Sequence, residues 1–354
     1  MHFFSRMALS GLIIAVSIPA ASADVELIGD IAVFKGYCDA SAAVALKPDD
    51  FSAFVVANDE KNQLYAYPID PSGGKGGKSP PIAPVTTDPP FTLARSGSAD
   101  LEGAARLGDI VFWIASHGRN SKGEVRPARH QFFATKFELN GQNGLRISQL
   151  GESVSLLKSL AAISPAVAAA IGNDAGDQNL APEQNGLNIE GLSAGEDGKS
   201  LLIGLRNPKL GGNALLVRLK NPEEVVKGAV PQFETPYQVD LGGRGIRSIE
   251  YISARGEFLI VAGPSGDKGD FDLYSWQGPG KGSPSPIRGA SAIFAKISHF
   301  HPEALIADAK GENILVISDD GDRPFVNAAN QPTGACKDQP ADVQNFRAIL
   351  LSRR

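Results

Sequence analysis

Five short segments of this 354-residue chain each set one carboxylate among small or apolar residues: GYCDASAAVAL, SADLEGAARL, GLNIEGLSAG, GIRSIEYISA and HFHPEALIAD. The acids are Asp39, Glu102, Glu190, Glu250 and Glu303. A buried carboxylate is costly unless its charge is offset. A bound cation, a proton, or hydrogen bonds from neighbouring N–H groups can do this. If the five acids converge, calcium is the expected cation, since it takes about six to eight hard oxygen ligands in flexible geometry. The alternative is structural, with each carboxylate stapling its own unit to the next. The sequence holds no EF-hand loop and no His/Cys cluster of the zinc type.

A second group of residues carries the opposite charge. The stretch SHGRNSKGEVRPAR (116–129) concentrates His117, Arg119, Lys122, Arg126 and Arg129 in an acidic protein of net charge −5. Arginine grips phosphate and carboxylate through two parallel hydrogen bonds. Arg119, Arg126, Arg129, Arg206 and Arg247 are therefore the candidate anion-binding residues, and His117 and His301 the candidate general acid–base groups. The bland alternative pairs these arginines with the nearby acids Asp59, Asp319 and Asp320. Serine chemistry has no support: there is no G-x-S-x-G elbow, and the glycines of GKGGK lack P-loop spacing.

The elements that must position these groups repeat with them. After each acid come a turn and a strongly apolar strand: FSAFVVAND, DIVFWIASHG, SLLIGLRNP, EFLIVAGPS and NILVISDDG. A third strand follows a variable loop: QLYAYPI, HQFFATKFEL, ALLVRLK, FDLYSWQ and FRAILLS. Fourth-strand candidates are 91–95, 145–150, 237–241 and 291–297. The fifth unit lacks one, but VELIGDIAVF (25–34) is unassigned and would complete it. Closing the ring in this way leaves no unpaired edge. The pattern predicts an all-β fold, a five-bladed β-propeller formed by residues 24–354, with six blades as the alternative count. Residues 152–172 predict a small helical insertion instead of a blade, with Ser164 as N-cap, Pro165 at the first helical position and Gly172 as terminator. In a propeller the first strands line the axis, so the acids should ring a channel mouth. The loops after the second strands should surround that mouth.

Residues 1–23 read as a secretory signal: Arg6, an apolar run, then Ala21-Ser22-Ala23, with cleavage after Ala23. The apolar run is too short to span a membrane, and no later segment is apolar enough. The expected location is periplasmic or secreted. In such an oxidising compartment the two cysteines, Cys38 and Cys336, should pair, since the repeat brings their positions close. An acidic chain lacks the basic face that nucleic-acid binding needs. A monomer is expected.

The combination EGAARLGDIVFWIASHGRNSKGEVRPARHQFFA, GLNIEGL, IGLRNP, GIRSIEY and HPEAL followed by ISDDG resembles an uncharacterised bacterial secreted family, the domain-of-unknown-function 3616 group. The likeness covers most of the mature chain and implies no established activity. More distantly, the repeated acidic segments resemble the esterase-like phytases, the calcium-dependent lactonase propellers and the calcium-activated nucleotidases. Three functions are expected: a Ca²⁺-assisted phosphoester hydrolase, a non-enzymatic module binding an anionic ligand or a protein, or a lactonase-type hydrolase.

Overall fold

A computed structural model describes residues 24–58, 62–70, 78–79, 83–84, 93, 95–140, 144–266, 268–326 and 331–354. The signal segment 1–23, Asp59, and most of 91–95 lie outside these residues. Five sheets, antiparallel except where Lys78–Ser79 pairs parallel with Val25–Lys35, stand around one axis, and their inner strands follow one another in a closed ring. Those inner strands are Ala40–Lys47, Leu101–Leu107, Asn188–Ala194, Gly245–Ile252 and His301–Ala307. The fold is a five-bladed β-propeller.

The second strands are buried on both faces, which is why they read as unbroken apolar runs rather than alternating ones. In Ile110–Ala115, Val111 to Ala115 are all fully buried. Apolar side chains fill each gap between adjacent blades, so the core is divided into five wedges. Inner strands of neighbouring blades come very close. A Cβ at Gly191 would lie 2.8 Å from Ile246 Cγ2, which accounts for the small residue after the acid in that segment.

Closure is as the repeat predicts. Val25–Lys35 pairs antiparallel with Asn345–Arg353 and completes blade five. Phe34 and Phe346 stack across this seam at 5.1 Å, and Phe34 also meets Phe54 of blade one at 5.3 Å. Cys38 and Cys336 are fully buried and disulfide-bonded where blades five and one meet. The helical insertion is present as Leu156–Ala161 and Pro165–Ile171, with Ser164 Oγ accepting from Val167 N. One fourth strand differs from expectation. Residues 291–297 do not form one: Ala290–Ala295 is a helix that buries Ala290 and Phe294, an i,i+4 pair, and the strand is Ser285–Pro286. In blade one Ala83–Pro84 is the strand next to Gln63–Pro68, and the expected 91–95 lies mostly outside the described residues.

Candidate functional site

Near its start, each inner strand carries a β-bulge, where one residue is left without a partner on the second strand. In blades two, three and five these residues are Glu102, Glu190 and Glu303. In blade four the bulge falls between Ile246 and Ser248, so the equivalent residue is Arg247 and not Glu250. In blade one Ser41 and Ala42 occupy the bulge, and Asp39 lies just before the strand. Bulges re-aim single side chains; here they turn three acids and one arginine toward the axis. The repeat aligned on its acids therefore set Glu250 out of register by three residues.

Arg247 is the hub of this plug. Its Nε lies 2.9 Å from Glu190 Oε2, its Nη1 donates to Glu190 Oε1 at 3.2 Å, and its Nη2 pairs with Glu303. Glu190 also accepts from Arg206 Nη1 at 2.9 Å and from Asn188 Nδ2 at 2.9 Å. Burial alone would lower the Arg247 pKa, but Glu190 and Glu303, with Glu102 and Asp319 beyond them, raise it instead. The charge offset expected from a cation is thus supplied in part by the chain itself. Among the described residues, no three His, Cys, Asp or Glu side chains are grouped to hold one metal ion.

Excess negative charge remains beside the plug. Burial, then Glu303 and Asp39, push the Asp319 carboxyl well above its usual range. Burial likewise raises Glu303 against the pull of Arg247. Gly321 packs so closely on Asp39 that a Cβ there would fall 2.0 Å from Asp39 Oδ1. Asp320 is fully buried and bound by Arg347 at 2.7 Å and Arg323 at 3.2 Å. It therefore staples blade five and does not serve the loop arginines.

Beneath the plug runs a cavity of about 580 Å³. Glu102 and Glu190 lie along it, while Arg247, Glu303 and Asp319 do not. It extends to the turns joining inner and second strands, around Asp49, Gly108, Asp197 and Ala309. Glu102 and Glu190 therefore lie at the end of the cavity away from these turns. Glu250 lies on the cavity wall and accepts one hydrogen bond from Ala307 N at 2.8 Å. Burial pushes its pKa up to about 8, which favours its neutral form at pH 7.

This gives a pH signature. A carboxyl raised by folding favours the native state fully below its unfolded pKa of about 4.5, and that contribution fades as pH rises to about 8. Wild-type stability should fall across this window, with a slope of at most about 1.4 kcal/mol per pH unit from this group. Glu250→Gln, which keeps an acceptor for Ala307, should flatten the curve. Urea midpoints of both proteins between pH 5 and 9 check it, and parallel curves would exclude a neutral Glu250 on the cavity wall.

The arginines and histidines expected at one rim are dispersed. Arg119 is buried and donates to the carbonyls of Gly123, Ala175, Ile171 and Asn173, which ties the helical insertion to its loop. Arg206 and Arg247 belong to the plug. Arg126 is exposed and pairs with Glu124 at 2.7 Å; Arg129 pairs with Asp100 at 2.8 Å. His117 is buried with a left-handed φ of 54°. Its Nδ1 is 2.8 Å from Ala115 O, and burial lowers its pKa to about 3. His301 faces Phe271, and burial, then Arg247, lowers its pKa. Sequence reasoning missed the hub role of Arg247 and the cavity residue Ser41. The apolar–X–small pattern shared by Ile246-Arg247-Ser248, Ile189-Glu190-Gly191 and Leu101-Glu102-Gly103 carried the signal for the first.

Fold and site together define a class: a five-bladed propeller with a charged plug across its axis and an acid-lined cavity beneath. The model of the family described as protein of unknown function (DUF3616) matches residues 142–323. The chain belongs to that family, as its sequence motifs suggested. No curated protein matches it.

Proposed function

We propose that this protein is a ligand-binding propeller whose central cavity takes a small, positively charged ligand. The cavity lining supports this reading: it holds eight acidic side chains and two cations, Lys47 and Arg106. Although Glu250 is raised toward its neutral form, Glu190 is paired with Arg206 and Arg247, and Glu196 and Asp197 with Arg218, the balance stays acidic. Arg106 already donates to the carbonyls of Ala45 and Leu46. A cleft lined by one sign of charge with low-dielectric walls concentrates the opposite ion. Calcium, expected from the sequence, is one such ligand; with two glutamates engaged by Arg247, it would bind partly hydrated on the wall. An organic amine is the other source of the same charge.

A thermal-shift titration with CaCl₂ and with spermidine, at constant ionic strength, tests the reading. Either cation should raise Tm in proportion to the logarithm of its concentration. Glu102→Gln should reduce that rise. No saturable shift with either cation, or an undiminished shift in Glu102→Gln, would remove the cavity as the site. The disulfide supports an oxidising compartment such as the periplasm.

A second reading, hydrolysis of a phosphoester or, failing that, a lactone, rests on Glu250. A neutral carboxylic acid facing the same cavity as Glu102 and Glu190 has the protonation state of a general acid beside candidate bases. Turnover of p-nitrophenyl phosphate or a γ-lactone that is lost in Glu250→Gln would establish it.

A further inference from the structure

A different surface carries the opposite chemistry. Two segments of blade two, 95–98 and 126–129, border an open concavity of about 670 Å³. Among the described residues its lining holds three arginines, Arg95, Arg126 and Arg129, the serines Ser96 and Ser98, and no carboxylate. The chain as a whole is acidic, with net charge −5.

The backbone around the concavity is held by buried or clamping amides. Gln131 is 1% exposed. Its Nε2 donates to Ala128 O at 2.6 Å and Arg95 O at 3.4 Å, and its Oε1 accepts from Arg95 N at 3.3 Å, so one side chain joins both segments. Asn62 holds the first segment by both ends of its amide, donating to Gly97 O at 2.6 Å and accepting from Ala99 N at 2.7 Å. Arg129 is positioned by Asp100 and by Arg119 O. Arg126 makes its pair with Glu124 while both side chains are about half exposed. Such a pair contributes little and is easily exchanged for a stronger one.

We propose that this concavity is a binding site for a phosphate or phosphomonoester oxyanion, gripped by Arg95 and Arg126 with Arg129 at its base. Planar guanidinium groups match phosphate oxygens two at a time, and the serine hydroxyls border the same space. The fixed backbone lowers the ordering cost of binding. This narrows the five arginines expected from sequence to Arg126 and Arg129 and adds Arg95. It is independent of the cation reading, since its residues and those of the cavity do not overlap.

Isothermal titration calorimetry of the whole protein with inorganic phosphate and with phenyl phosphate tests the site. Wild type should bind both at one saturable site, more weakly at high salt. Arg95→Ala and Arg126→Ala should each weaken binding by about tenfold or more, with Tm unchanged, and the double variant should not bind. Glu102→Gln should bind phosphate like wild type. Absence of saturable binding by wild type, or wild-type affinity in the double variant, would overturn the proposal.

Discussion

Replacing Arg247 with Met should destabilise the protein by about 3–5 kcal/mol, the largest effect expected of any single charged residue here. Arg247 is 5% exposed and lies between Glu190, 3% exposed, and Glu303. Removing it strands Glu303 and leaves Glu190 with only Arg206 and Asn188, in a desolvated ring that already holds Asp319 and Asp39. Methionine preserves much of the volume, so the loss reports charge rather than a cavity. The loss should shrink at acid pH, where stranded carboxylates take up protons. Adding Glu190→Gln and Glu303→Gln to Arg247→Met should recover part of it, because neutral amides are cheaper to leave in that site. Urea denaturation at pH 5 and pH 8 reads all of this. A loss below about 1 kcal/mol, or no recovery in the triple variant, would show that the plug is not held by charge.

The disulfide should have the second-largest effect. Cys38 and Cys336 are 298 residues apart in sequence with Cα atoms at 6.0 Å. A bond closing so long a loop removes much of the unfolded chain's freedom, and its loss should cost about 2–5 kcal/mol. Both sulfurs are buried, so dithiothreitol should act only after the native state opens. Cys38→Ala with Cys336→Ala should lower the urea midpoint in the absence of reductant. Equal midpoints for wild type and the double variant would mean that the closing strand pair and its aromatic seam hold the ring unaided.

The fold was legible because each blade repeats one simple physical pattern. A second strand buried on both faces must read as an unbroken apolar run, and DIVFWIA and EFLIVAG do so. The missing fourth strand of the last unit and the spare strand at 25–34 gave the closure. Short outer strands were harder. Ser285–Pro286 has only two residues, too few for any period, while SAIFAKI has strand-like composition but helical spacing. The site was only half legible. The acids stood out as odd residues in small-residue segments, but a β-bulge is a matter of pairing, which spacing along one strand does not reveal. So Arg247, three residues from Glu250, read as a rim cation and not as the ring member. The fate of each arginine depended on loop folding. Nothing local to Arg119 marks it as the donor to four carbonyls, several of them more than fifty residues away.

The seam in blade five also bears on how the chain could be cut and rejoined. Arg354 N donates to Asp24 O at 3.0 Å, and Val25 is paired with Arg353. The two ends of the described chain thus lie side by side, so a few glycines between Arg354 and Asp24 would turn the seam into an ordinary hairpin. New ends could then be opened at the exposed turn Gly211-Gly212, whose glycines have nothing within 4 Å of a built Cβ. A circular permutant of this kind keeps every blade and every contact of the plug, with blade order rotated. Which blade is synthesised first is then a property of the gene, and the ring itself has no beginning.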